Sequence, residues 1–237
     1  MTSTAPARGL FVTGTDTNVG KTHIAALIVR AMRSSGQRVG ACKPVCSGAV
    51  LDSAGVIHWD DIDQLRGALG VDYLDDAICP QRFLAPLAPP HAARAEGRTV
   101  DFARLVSGIQ WWGEQADVLI VEGVGGLLAP VTEKETAADL ARAIGYPMII
   151  VARCGLGTIN HTLLTIEAAR QRGLSMAGVI LNQSHPADEF ELAEANAIEI
   201  ELRGGVPVLG TVACGSSDGL HRHGCLVTID WSDLAAR

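Results

Sequence analysis

The sequence predicts an α/β protein, a single-domain doubly wound and mostly parallel sheet with helices on both faces. Three observations predict it. Strand-like and helix-like stretches alternate along the whole chain. Residues 10–22 run from an apolar segment, Leu10-Phe11-Val12, into Gly20-Lys21-Thr22, which is how a strand, a phosphate loop and a helix start read. Asp117-Val118-Leu119-Ile120-Val121-Glu122 is apolar on both faces, as a central parallel strand is. A chain of 237 residues with 48% hydrophobic content buries an ample core, and it fits one large domain spanning 1–237 more easily than two small ones.

Taken in order, residues 9–14 form the first strand and a helix runs from about Lys21 to Ser34, closed by Gly36. Arg38–Lys43 is a second short strand, completing a βαβ start. Residues 44–58 are small and loop-like. Asp60 or Asp61 caps a helix reaching to about Leu69. Pro80, Pro86, Pro89 and Pro90 exclude regular structure from 79–91. A helix from about Asp101 to Gln115 leads into the strand 117–122, which ends in Gly123-Val124-Gly125-Gly126. There follow a helix near 136–144, a strand 147–152, a helix near 158–172, a strand 177–182, a helix near 187–203 and a last strand 206–210. Residues 1–8 are expected to be flexible. The segment 211–237 is the least defined; its Cys214, His221, His223 and Cys225 fit no usual zinc frame, and a solvated tail is expected there. Trp111 and Trp112 belong to the core or to a dimer surface.

The loop is a variant. In the usual G-x-x-x-x-G-K-[ST] pattern the first glycine falls at position 15, where this chain has Thr15 with Gly14 just before it. Backbone N–H groups and the positive end of the helix dipole would hold a triphosphate there, with Lys21 on the β- and γ-phosphates and Thr22 on Mg²⁺. A bare glycine turn is the plain alternative. The strand ends carry Lys21/Thr22, Lys43/Ser47, Glu122 and Asn182, which a doubly wound order brings to one crevice. Glu122 closes an apolar strand, so it is costly to bury unless it is paired or metal-bound. Asp60, Asp61 and Asp63 read either as an acidic first helical turn or as metal ligands. Asn160 and His161 open a helix and read either as capping or as ligand-binding residues.

Composition narrows the classes. A net charge of −7 argues against nucleic acid or an anionic membrane as the main partner. Six cysteines without a C-x-x-C pair read as free thiols in a reducing compartment, hence a cytoplasmic location. The amino terminus lacks an apolar signal region, and no segment approaches about 18 uninterrupted apolar residues.

Four blocks in order carry a resemblance: Gly14–Thr22, Lys43-Pro44-Val45-Cys46-Ser47-Gly48, Val121-Glu122-Gly123-Val124-Gly125-Gly126, and Gly157-Thr158-Ile159-Asn160-His161. Together they resemble the signature blocks of the dethiobiotin synthetase family, and Phe83, Pro86, Pro89 and His91 resemble its proline-rich loop. The resemblance implies a P-loop ligase that joins 7,8-diaminopelargonate and CO₂ with ATP as cosubstrate and Mg²⁺ as cofactor. It closes a ureido ring through a carbamate and a mixed anhydride, releasing ADP and phosphate. It implies that Asn18, Val19, Gly20, Lys21, Thr22, His23 and Gly125 bind nucleotide, with Asn182 and Gln183 at the adenine. Lys43, Lys21, Thr17 and Ser47 would act at the reacting groups. Thr22, Glu122 and Asp61, or Asp60 in its place, would hold Mg²⁺. Ser47 and Gly157–His161 would receive the substrate, partly across the interface of a homodimer. Asn18 and Val124 depart from the family pattern, and no proline follows Gly210. A ParA/MinD-like ATP switch shares the fold and is the alternative; the absence of a second lysine in the loop opposes it. An amidotransfer-type synthase would bring a glutaminase domain that 237 residues do not accommodate.

Overall fold

A computed structural model of the chain describes residues 6, 8–186, 190–217 and 219–236. The elements in chain order are β1 (Arg8–Gly14), α1 (Lys21–Ser34), β2 (Val39–Cys42), β3 (Val45–Ser47), β4 (Val50–Leu51), β5 (Ile57–His58), α2 (Asp60–Leu69), α3 (Asp75–Ile78), β6 (Gln81–Phe83), α4 (Pro89–Ala95) and α5 (Phe102–Trp111). They continue with β7 (Val118–Glu122), α6 (Ala137–Ile144), β8 (Met148–Arg153), α7 (Thr158–Gln171), β9 (Met176–Asn182), α8 (Ala193–Gly204), β10 (Val208–Val212), β11 (Leu220–Arg222), β12 (Cys225–Val227) and α9 (Trp231–Ala235).

The main sheet has eight strands in the order β12-β11-β10-β9-β8-β1-β7-β2. From β10 to β2 all neighbours are parallel; β11 and β12 add an antiparallel hairpin at the far edge. β1 lies between β7 and β8, with Leu10 beside Ile120 and Phe11 beside Met148. Helices cover both faces, so Leu10, Phe11 and Val12 are completely buried, each contributing roughly 1.5–3 kcal/mol of hydrophobic stabilisation. The chain leaves β1 for the edge strand β2, returns to β7, and then crosses β1 to reach β8. That reversal makes the carboxyl end of β1 the switch point, where doubly wound sheets place their ligands.

Local signals account for the element ends. Thr136 and Asp139 form a reciprocal capping box at α6, and Asp101 accepts from the Arg104 N–H at the start of α5. Gly70, Gly145 and Gly205 close α2, α6 and α8 in the left-handed conformation that glycine adopts without strain.

Several expectations need correction. Trp59, not Asp60 or Asp61, is the N-cap of α2, and both aspartates lie inside its first turn. The stretch 44–58 holds three short strands, and β3 pairs in parallel with β6, which lies inside the proline-rich segment. Pro89 and Pro90 begin α4, because at the first helical positions proline's missing N–H is no loss. Beyond Gly210 the chain is not a solvated tail: β10 runs on to Val212, the β11–β12 hairpin extends the sheet, and Leu220, Trp231 and Leu234 are buried, although Cys214 and Cys225 are exposed. The helix expected near 187–203 begins as a 3₁₀ turn at Phe190–Leu192; its first three residues lie outside the described ones. Trp112 is fully buried and donates from Nε1 to the Ala77 carbonyl, with Trp111 and Tyr73 edge-on against it.

Candidate active site

The loop from Gly14 to Gly20 leaves β1 and enters α1 at its amino end, so its backbone faces the crevice at the switch point. Gly20 is the N-cap of α1 with φ +91°, and Asn18 is also left-handed at φ +57°. A Cβ on Gly20 would stand 2.1 Å from Asn182 Nδ2. That amide, at the end of β9, donates to the Val19 carbonyl at 2.9 Å, so the loop is tied to the sheet from below.

Three elements converge on the first turn of α1. Thr22 Oγ1 lies 2.7 Å from Asp61 Oδ1 and 2.8 Å from Glu122 Oε1, and its single proton serves one of them at a time. Lys43, just past β2, donates to Glu122 Oε1 at 2.7 Å and forms a short ion pair with Asp61 Oδ2. Lys43 and Glu122 are almost fully buried, at 5% and 1% exposure. Glu122 Oε2 is buried without a hydrogen-bond partner, a cost a protein rarely leaves unmet. Asp61 is the aspartate brought to this cluster. Asp60, one residue earlier, points away, with 66% of its side chain exposed beside His58.

The electrostatics follow from burial against charge. Burial pushes the Glu122 carboxyl above the usual range, and the ammonium of Lys43 pulls the other way without cancelling it. Burial alone would lower Lys43, but Glu122 and Asp61 outweigh it and hold the ammonium charged. Asp61 is raised by burial and brought back below its ordinary value by Lys43 and the Thr22 hydroxyl. With two carboxylates against one ammonium, the charged form of Lys43 is the secure member, and the strain falls on Glu122. Lys21 differs. Its Nζ donates to the Asp16 carbonyl at 2.9 Å, and burial lowers its pKa to about 8.

A cavity of about 800 Å³ opens over this cluster, lined by residues that include Asn18, Gly20, Lys21, Thr22, His23 and Gly125, within the range for nucleotide-sized ligands. Thr17, Lys43, Ser47, Asp61, Glu122, Asn182 and Gln183 also border it. Val19 is buried beneath the loop, and Ser47 Oγ donates to the Leu87 carbonyl. Gly157–His161 are not brought to this cavity. Gly157, left-handed at φ +88°, caps α7, and His161 borders a neighbouring hollow of about 380 Å³ that shares Thr17, Gly125 and Ala129 with the main one. Gln64, Ser184, Cys214 and Gly215 line the main cavity, and the sequence reading assigns none of them to the nucleotide or substrate site. Gln64 had a signal, being one helical turn past Asp61 on the same face. Cys214 and Gly215 follow the carboxyl end of a parallel strand, and Cys214 N–H donates to Gln183 Oε1.

A parallel sheet with a lysine- and threonine-bearing loop at its switch point defines a nucleotide-binding protein of the P-loop class. A family profile described as AAA domain matches residues 8–214. The chain is 50% identical over 193 residues to the ATP-dependent dethiobiotin synthetase BioD of Anaeromyxobacter dehalogenans (strain 2CP-C), covering 81% of this chain and 84% of that protein. It is 39% identical over 213 residues to the protein of the same name from Rhodopirellula baltica, covering 85% and 82%. The ParA family ATPase from Chlorobium tepidum TLS superposes with a TM-score of 0.51 at 14% identity, covering 90% of this chain and 86% of its own; at that identity the likeness is one of fold. The chain belongs to the dethiobiotin synthetase family.

Proposed function

We propose that this protein is an ATP-dependent dethiobiotin synthetase, a carbon–nitrogen ligase that carboxylates 7,8-diaminopelargonate with CO₂ and closes the ureido ring. The observation that carries the reading is the meeting of Thr22, Lys43, Asp61 and Glu122 at the mouth of the phosphate loop, in a family whose curated members bear that name.

The donors fit Mg²⁺. A threonine hydroxyl and two carboxylates are hard oxygens, and the orphaned Glu122 Oε2 is a buried anionic oxygen in need of a cation. Bound there by Thr22, Asp61 and Glu122, Mg²⁺ would neutralise phosphate charge and orient the transferring group. The amide groups of Asn18–Gly20 and the amino end of α1 would hold the triphosphate. Lys21 would exchange the Asp16 carbonyl for phosphate oxygens, which restore the charge that burial disfavours. An amine of the substrate takes up CO₂ as a carbamate, whose oxygen attacks the γ-phosphoryl group; the second amine then attacks the carbamoyl carbon and expels phosphate. Such transfers depend on position and charge neutralisation, and Lys43, Thr17 and Ser47 border the space where carbamate and γ-phosphoryl would meet. His23, Gly125, Asn182 and Gln183 would complete the nucleotide site.

Gly157–His161 at the amino end of α7 would take the substrate carboxylate. Nearby Leu128, Leu156 and Leu164 are 50%, 93% and 61% exposed, which supports a homodimer interface beside that segment. Six free cysteines support a reducing, cytoplasmic setting; among the described residues no helix is long and apolar enough to cross a membrane. The test is phosphate release from ATP with diaminopelargonate and bicarbonate, each omitted in turn. Release that requires both supports the reading, whereas equal hydrolysis without the diamine would favour a nucleotide switch.

A further inference from the structure

Lys43 follows β2, Asp61 lies in α2 and Glu122 ends β7, and one ammonium touches both carboxylates. The Lys43 ammonium lies 2.7 Å from Glu122 Oε1 and in a short pair with Asp61 Oδ2. Glu122 Oε1 also receives the Thr22 hydroxyl. One oxygen of each carboxylate, Glu122 Oε1 and Asp61 Oδ2, is thus engaged by the lysine, while Asp61 Oδ1 faces the Thr22 hydroxyl and Glu122 Oε2 has no partner.

We propose that Lys43 is a resident cation. In the nucleotide-free protein it neutralises the Asp61–Glu122 pair, and its ammonium must vacate those oxygens before a divalent cation can use them. The proposal rests on the preceding reading that Thr22, Asp61 and Glu122 hold Mg²⁺. Two carboxylates this close repel unless a cation lies between them, so the fold needs a positive charge here before any ligand arrives. Once a divalent ion arrives the ammonium becomes the surplus charge. It has somewhere to go, because Lys43 borders the cavity together with Thr17 and Gly125, where anionic phosphates would lie. The move costs little backbone rearrangement. Lys43 N–H is anchored to the Ile78 carbonyl at 2.8 Å, so rotation of the four-carbon stem suffices. Metal alone must compete with the ammonium for Glu122 Oε1 and Asp61 Oδ2, whereas metal with nucleotide offers the ammonium a new anionic partner. Metal loading is thereby coupled to nucleotide loading.

The test is Mg²⁺ binding to the nucleotide-free protein, by calorimetry and by the shift in melting temperature, for the wild type and for Lys43→Met, Lys43→Gln and Lys43→Arg. The two neutral variants should melt lower in EDTA, regain stability with Mg²⁺, and bind it roughly tenfold more tightly than the wild type, about 1.4 kcal/mol. Lys43→Arg, which keeps the charge, should not gain affinity. Lys43→Gln keeps donors for the carboxylates and serves if Lys43→Met does not fold. The control is Glu122→Gln with Mg²⁺ and ATP together. If that variant loses the wild-type Mg²⁺ response while the neutral Lys43 variants bind Mg²⁺ no more tightly than the wild type, the resident-cation proposal is overturned and the metal site stands. If Glu122→Gln keeps the full response, the metal reading fails and takes the proposal with it.

Discussion

Replacing Gly20 by alanine separates the geometry of the phosphate loop from its charge. Gly20 sits at φ +91°, where an L-residue is strained by roughly 1–2 kcal/mol. The added methyl would lie 2.1 Å from Asn182 Nδ2 and 3.1 Å from its Cγ. Asn182 cannot step aside cheaply, because it is 3% exposed and its amide is bonded to the Val19 carbonyl. Displacing it breaks that bond and leaves a buried acceptor unpaired, a further cost of about 1–3 kcal/mol. Gly20→Ala should therefore lose about 2–5 kcal/mol of stability and a large part of its nucleotide affinity, read by urea unfolding and by calorimetric titration with ATP. Asn182→Ala alone should cost about 1–3 kcal/mol by breaking the same bond. In the double variant that loss is counted once and the clash is gone, so the cycle should be sub-additive by about 1–3 kcal/mol. Strict additivity, or a Gly20→Ala protein that unfolds and binds as the wild type does, would refute the account of a loop held by one close approach.

Three further outcomes are expected. Glu122→Gln keeps the shape of the site and removes its charge, so the Mg²⁺ dependence of turnover should be far more impaired than the unfolding midpoint; equal effects on both would return Glu122 to a structural role. Lys21→Ala should weaken nucleotide binding as well as rate, while Lys43→Ala, compared at saturating nucleotide and Mg²⁺, should slow the chemical step by roughly 10²–10³ in single-turnover rate, as for one preorganised charge-stabilising donor. A Lys43→Ala enzyme that reacts at the wild-type rate once saturated would overturn that division. Burial lowers Lys21 from 10.5 to about 8, so between those values the unfolded chain holds a proton that the native site has shed. Stability of the nucleotide-free protein should gain a rising component with pH across that window, and ATP affinity, which needs the ammonium, should fall as pH rises above about 8. Lys21→Met should remove both slopes, and a wild type whose ATP affinity is flat from pH 7 to 10 would show that the lysine stays charged.

How far the site was legible depended on whether each decision was local. β1, the loop and α1 read off the sequence to within a residue, because an apolar run, a glycine break and an amphipathic repeat are all short-range signals. The strand before Glu122 was as clear, since burial on both faces leaves an unbroken apolar run. The β3–β6 pair gave no such signal: each strand has three residues, and their parallel partnership joins Val45 to Gln81 across an intervening helix pair. Prolines at 86, 89 and 90 argued for disorder of pattern where the last two in fact start a helix. The choice between Asp60 and Asp61 lay beyond local reasoning for a related cause. Both occupy the first turn of α2 and differ by one 100° step about its axis. Only the docking of α2 against α1 and β2 decides which carboxylate meets Thr22 and Lys43. The orientation of Lys43 belongs to the same class. A lysine at a strand end is a position in sequence, but its engagement with Glu122 and Asp61 is a property of three elements meeting.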